Sequence, residues 1–470
     1  MKMHDVIVVG GGIGGCGVAA LLARKGLDVV LIEKNKTVGG KCTSIDRDGF
    51  RIPSYIHMMA RADRGPCAEL AREIGEPLEW VRLGDGILNL MGQELAFKGG
   101  GIATSVLKYL RTFKFSLRDI LGLVGLIIDG KRSEEKVEKE FDGLDMETWI
   151  SRRVRNRTLN AVMAYVNAAT FCIPFSEASA AEFNFIEKGI SEEGAPLGYP
   201  AGECGAIPDT YLQGFLKAGG LSRQAVVRRI AVEEGKACGV ALEDGEVIKA
   251  RCIISNAGIK TTVLDLMEEK HFSPDYLQTV RSFKGSWSGL VVKVALDRKI
   301  TDLKACIYVP TLDHVGYFRK IQRGEVPEEM YMWVTVPSNL SPSLAPAGKQ
   351  IICAGYTLPW RPDADWTPYV ERTLETLQKI FPTIHDHTLW KDIVTPADIE
   401  KWVGREGRLI EVAQTVDQVG KNRPSIISPI EGLYFVGSDV GKRAVGVELA
   451  AQSALLCAKE VARREFGKQA

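Results

Sequence analysis

The chain has 470 residues, 45% apolar and 25% charged, the make-up of a globular protein with more than one core and not of a disordered or fibrous one. Its 60 basic and 59 acidic side chains leave a formal charge of +1, so no global field directs it to nucleic acid. The ten cysteines form no Cys-x-x-Cys pair and share no metal-ligand spacing with the six histidines; they read as small core residues of a reducing, cytoplasmic protein without a metal site.

Residues 5–9 read as a strand buried on both faces. The apolar run after Lys2 is too short for a secretion signal and breaks into glycines. Nowhere do 18 apolar residues follow one another, so no membrane-spanning helix is expected. Gly10-Gly11-Gly12-Ile13-Gly14-Gly15 comes next, then residues 16–25 with helical spacing and Val18, Leu21 and Leu22 facing inward. A second strand over 29–32 ends at Glu33.

Each part has a physical role. Gly10 permits the tight strand-to-helix turn, Gly12 lets the backbone approach a pyrophosphate, and Gly15 lets the helix pack closely on the strand. N–H groups at the helix start face the phosphates, helped by the helix dipole. Glu33 stands about 20 residues further on, where a carboxylate accepts the ribose hydroxyls. Strand, loop, helix, strand and acid in this order define a dinucleotide site, but leave FAD and NAD equally open.

The rest of the chain decides between them. Gly39-Gly40-Lys41-Cys42-Thr43-Ser44 resembles the Gly-Gly-Arg-x-x-Ser segment of the FAD-dependent amine oxidoreductase family, which includes phytoene desaturases, monoamine oxidases and protoporphyrinogen oxidases. Lys41 in place of Arg keeps the charge and loses the planar fork. Tyr199-Pro200-Ala201-Gly202, running on to Gly219-Gly220, is similar to the family's return from the substrate domain. Val227-Arg228-Arg229-Ile230 is similar to the strand that meets the adenine, and Ser255-Asn256-Ala257 to the close of the cofactor half. Pro337-Ser338-Asn339, Arg423-Pro424 and the run through Gly437-Ser438-Asp439 look like the desaturase branch in particular.

The resemblance covers nearly the whole chain. It implies an α/β fold in which a Rossmann-like FAD-binding domain of the GR2-type flavoproteins comprises residues 1–66, 199–261 and 426–470. An interleaved α+β substrate domain takes 67–198 and 262–425, with the active site in the cleft between them. It further implies FAD as cofactor, held by Gly10, Gly12, Ile13, Gly14, Gly15, Glu33, Lys34, Gly40, Lys41, Val227, Asn256, Gly437, Gly446 and Val447, with Ser438 or Asp439 contacting ribityl or phosphate. No second Gly-x-Gly-x-x-Gly follows a strand, so a dedicated NAD(P)H domain is not expected and the electron acceptor stays open.

Where the family often reads Asp-x-Gly-x-His, this chain has Pro53-Ser54-Tyr55-Ile56-His57. Tyr55 either narrows the flavin cavity or belongs to a segment that has shifted away; His57 is a catalytic candidate or a packed neighbour. Lys293, on an alternating strand, resembles the lysine that holds a water near flavin N5 in the amine oxidases; the alternative is an edge-strand lysine facing solvent. Trp360 and Trp402 are candidate aromatic walls. Over 104–132, basic residues including Lys108, Arg111, Lys114 and Arg118 flank an apolar run, as does Lys98 before it. That pattern suits either peripheral contact with the inner face of a membrane or a core helix with a solvated basic face.

The expected activity is a flavin-dependent, desaturase-like hydride transfer on an apolar, isoprenoid or lipid-like substrate. The alternatives are an amine or amino-acid oxidase, a saturase or isomerase, and a cofactor-free lipid-binding protein of the same fold. Neither a metal nor a protein nucleophile is called for.

Overall fold

The computed structural model describes residues 2–83, 86–97, 113–132, 134–192, 197–404 and 407–467. β1 (Met3–Val9), α1 (Ile13–Arg24) and β2 (Val29–Glu33) form the expected unit. β1 pairs in parallel with β2 on one side (Val9 opposite Ile32) and with the strand Val247–Ser255 on the other (Val9 opposite Ser255). Flanked on both sides and covered on both faces, it can be apolar without alternation. Leu221–Gln224 extends the sheet beyond β2, in parallel. Val247–Ser255 is shared: Lys236–Leu242 pairs with its first half and Leu433–Phe435 with its last three residues. Strand ends far apart in sequence therefore gather at one edge, around Gly10, Asn256 and Gly437.

One face of this sheet is covered by α1, the C-terminal helix Gly446–Phe466, Ala206–Lys217 and Pro66–Glu73, around a core that includes Cys16, Leu22, Leu70, Phe215 and Val461. The other face is covered by Ile259–Leu264 and Pro274–Ser282 through Val263, Leu277 and Val280. Boundaries at 67 and 262 therefore do not follow the packing: both flanking segments side with the dinucleotide sheet. Their apolar spacing marks helices but not which sheet those helices cover.

Among the described residues a second sheet has seven strands, in the order Thr388–Val394, Ser288–Leu296, Gln350–Leu358, Met332–Thr335, Ala305–Val309, Gly86–Leu90 and Gln93–Phe97. Its pairings are antiparallel except that between Ala305–Val309 and Gly86–Leu90. Ser288–Leu296 lies between two strands and is buried throughout. Lys293 is consequently not on an edge: it is fully buried and donates to Asp392 Oδ2 at 2.7 Å. The segment Pro337–Leu340 serves as a brace, Asn339 Nδ2 donating to the carbonyls of Thr301 and Leu303.

Arg157–Phe171 packs on this sheet, and Leu117–Gly130 packs further out, against the helix Ala180–Glu192. Leu117–Gly130 starts in a capping box between Ser116 and Asp119. Its inward face carries Leu123 and a buried Asp129 that pairs with Arg153 (2.6 Å) and accepts from Trp149 Nε1 (3.2 Å). Leu117, Leu121, Val124 and Ile128 are exposed at 75, 66, 45 and 57%. The solvent face of this helix is thus an apolar stripe and not the basic face of a core helix; Lys98, Lys108 and Arg111 lie outside the described residues. A buried ion-pair network joins the layers, Arg443 bonding Glu182 Oε1 at 2.9 Å and Asp142 Oδ1 at 2.5 Å.

Candidate active site

Gly10 has a φ of +97°, which L side chains avoid, and turns β1 into α1. A Cβ on Gly15 would stand 1.9 Å from the Gly10 carbonyl oxygen, so helix and strand meet at glycine distance. A Cβ on Gly12 would reach 2.6 Å from Asn256 Nδ2, and one on Gly14 would lie 3.0 Å from the Gly437 nitrogen. The two ends of the chain touch there. The first turn of α1 has neither a side-chain cap nor an acidic residue, so its free N–H groups remain for an anion.

Glu33 organises this loop. Its Oε2 accepts from Gly11 N–H at 2.7 Å and its Oε1 from Asn35 N–H at 2.8 Å. Gly39, with a φ of +111°, donates its N–H to the Gly11 carbonyl at 2.7 Å and so lays the Gly39-Gly40-Lys41 turn beside the first loop. Lys41 Nζ donates to the Leu409 carbonyl at 2.9 Å. Burial pulls its ammonium below the usual lysine value, against the carboxylates of Glu411 and Asp439. Asp439 accepts from Ile259 N–H at 3.2 Å; burial pushes its carboxyl up, opposed by Lys41. Gly437 N–H donates to Ser453 Oγ at 2.9 Å, which ties the loop to the C-terminal helix.

Most of these groups line one cavity of about 710 Å³, toward the upper end of the range for ligand sites. The candidates Gly10, Gly12, Ile13, Gly14, Glu33, Lys34, Gly40, Lys41, Val227, Asn256, Gly437, Ser438, Asp439, Gly446 and Val447 line it; Gly15 stands behind the loop. Tyr55 and His57 line it too, so the departing segment has not moved away. Burial pushes the Tyr55 phenol up. Lys293 lies outside the lining, opposite Cys353 on the neighbouring strand, and of the two tryptophans only Trp402 reaches the cavity. Trp360 instead donates to Glu400.

Sequence reasoning missed several neighbours. Glu448, in the first turn of the C-terminal helix, accepts from the Arg61 N–H (3.1 Å) and Nε (3.3 Å) at the cavity wall. Trp333, Tyr356 and Phe183 supply aromatic walls from strands and a helix that carry no motif. Cys42, His57 and Cys204, which no spacing connects, come together with their ligand atoms within 4.8 Å of one another.

A sheet with a parallel centre, an uncapped helix behind a glycine loop, a close-packed glycine cradle and an acid that fastens the loop define a dinucleotide-binding protein. The profile of the flavin containing amine oxidoreductases matches residues 14–462, and the chain belongs to that family. It is similar to a zeta-carotene-forming phytoene desaturase of Myxococcus xanthus, with 27% identity over 92% of this chain and 89% of the relative. It is also similar to a chloroplastic prolycopene isomerase of Arabidopsis thaliana, with 24% identity over 98% and 83%. Among solved structures, an oxidoreductase from Methanosarcina mazei has the same fold, with a TM-score of 0.76 and 20% identity over 96% of this chain and 99% of that one. The chain is an FAD-dependent oxidoreductase of the desaturase-like kind.

Proposed function

We propose that the substrate is an apolar polyene or isoprenoid, and that a hydride passes between one of its C–H bonds and the flavin. The observation that carries this reading is the lining beyond the dinucleotide groups: Leu83, Ile87, Val162, Val166, Ile186 and Ile307 form an apolar wall. The bound flavin supplies the hydride acceptor, N5.

The protein's part is binding, orientation and exclusion of water. Gly12 and the uncapped first turn of α1 would receive the pyrophosphate, Glu33 sets the loop, and Lys41 would add a buried positive charge. The apolar wall aligns a chain without polar handles and keeps the site dry. Tyr55 and His57 face the same space as polar groups at its boundary. An amine oxidase reading loses support because Lys293 is held by Asp392 away from the cavity.

The substrate would be drawn from a bilayer. No helix among the described residues is long and apolar enough to cross a membrane. The exposed stripe of Leu117, Leu121, Val124 and Ile128, beside Lys114, Arg118 and Lys131, suits docking at an anionic interface. The test is anaerobic mixing of FAD-loaded protein with phytoene in liposomes. Bleaching of the flavin band with growth of a longer polyene spectrum supports the reading. Inert polyenes together with amine oxidation and peroxide release would overturn it.

A further inference from the structure

The cluster of Cys42, His57 and Cys204 is not used by the reading above, yet it sits at the cavity wall. Cys42 and His57 line the cavity, and Cys204 lies behind them, 1% exposed. The two backbone segments carrying the sulfurs are pressed together on both sides of the pair. A Cβ on Gly205 would fall 2.1 Å from Ser44 Oγ, and one on Gly39 would fall 3.0 Å from Pro208 Cγ. Glu203 holds the turn from beneath: its carboxylate accepts from the Ser44 hydroxyl, from Gly205 N–H at 3.0 Å and from the Tyr199 hydroxyl at 3.2 Å. The sulfurs therefore face each other in a fixed frame, and all ten cysteines are free thiols.

The electrostatics divide the pair. A hydrogen bond from Cys204, then the charge of His57, hold the Cys42 thiol low against burial; burial and the neighbouring thiolate push Cys204 high. Burial disfavours charge on His57, but Cys42 and the Lys41 carbonyl hold it up at about 9. A thiolate beside an imidazolium, with a protonated thiol in reach, is the arrangement of an exchanging dithiol.

A thiophilic cation is the competing occupant of two thiols and an imidazole. His57 Nε2 lies 3.6 Å from Cys42 Sγ and 3.0 Å from the Lys41 carbonyl, to which its N–H donates. The Glu203 carboxylate is already engaged. That leaves two thiols where a structural zinc site takes four ligands.

We infer that Cys42 and Cys204 form a dithiol–disulfide couple that exchanges electrons with the flavin, with His57 taking and returning the Cys42 proton; the inference rests on the flavin reading. Oxidation forms one S–S bond and releases two protons and two electrons, and FAD takes up both electrons with two protons. In reverse, flavin reduced by hydride from the substrate cleaves the S–S bond and leaves two thiols. The couple is thus an internal two-electron acceptor, and an external disulfide would reoxidise it.

The test is an anaerobic dithionite titration of the FAD-bound protein after mild oxidation with diamide, with peptide mass spectrometry alongside. Wild type is expected to take up four electrons per FAD and to yield a Cys42–Cys204 linked peptide. Cys204→Ser, and Cys204→Ala as a second variant in case the first folds poorly, should take up two. Two electrons in the wild type with both thiols still alkylatable would overturn the couple, as would one tightly bound zinc per chain that Cys204→Ser abolishes. Colourless protein that FAD cannot restore would overturn the flavin reading and the electron exchange with it. That failure is distinct from a yellow protein that takes up only two electrons.

Discussion

Replacing Glu33 with Gln should weaken FAD binding through the loop, not only through the ribose. In the wild type both carboxylate oxygens accept backbone N–H groups, from Gly11 and Asn35, in a residue only 8% exposed. Gln has the same length but a single acceptor oxygen. Gly11 lies deeper, so the amide oxygen should turn to it and set the –NH2 against the Asn35 N–H. One charge-assisted bond is then lost, a cost of roughly 1.5–3 kcal/mol. If that cost falls on the bound state, affinity drops about 10- to 150-fold. The assay is titration of FAD-depleted protein with FAD, followed by quenching of flavin fluorescence. The same titration of Glu33→Asp, which keeps the charge but cannot span both donors, should give an intermediate value. An FAD affinity within twofold of wild type for Glu33→Gln would refute the role assigned to this carboxylate.

Gly15→Ala must move α1 off β1, since its Cβ would stand 1.9 Å from a backbone oxygen; overpacking costs about 1–3 kcal/mol, seen as a lower melting temperature and poor FAD retention. Arg443→Met should lower the denaturant midpoint by the equivalent of about 3 kcal/mol, because Glu182 stays buried without the arginine that hydrogen-bonds it; Glu182→Leu in the same chain should recover most of the loss. Cys42 is held below the usual thiol value by Cys204 and His57, so its thiolate is present above that lowered value and disappears only as pH falls through it. Labelling of FAD-depleted protein by iodoacetamide should already be level at pH 7, where a free cysteine is still rising toward about 8.5, and His57→Asn should shift the midpoint upward. Leu121→Asp with Val124→Asp should abolish flotation with anionic liposomes while leaving FAD content unchanged.

What could be read from the sequence was local. The turn at Gly10, the approach at Gly12 and the acid at Glu33 each act on neighbours a strand or helix away, so order and spacing suffice to find them. The second half of the cofactor site, at Gly437 and Gly446, came from resemblance, because nothing in the spacing says that Leu433–Phe435 adds to the sheet beside Val247–Ser255. Lys293 shows the limit of a single-strand pattern. Alternation left it either near the flavin or on a solvent edge, and only the neighbouring strands, through Asp392, decide that it is buried away from the cavity. The Cys42–Cys204 pair was invisible for the same reason: its partners meet through a turn braced by Glu203, and no motif announces that contact.

The meeting of Gly14 with Gly437 has a consequence for biosynthesis. The glycine loop leaves the ribosome long before the wall against which it closes. Until Gly437 and the helix after it have been made, the nascent chain carries half a cradle and should not retain a flavin. Cofactor capture should therefore wait for that wall, and a truncation before Leu433 should leave a protein that is both colourless and, lacking the strand Leu433–Phe435 and the helix Gly446–Phe466, open along the sheet that helix covers.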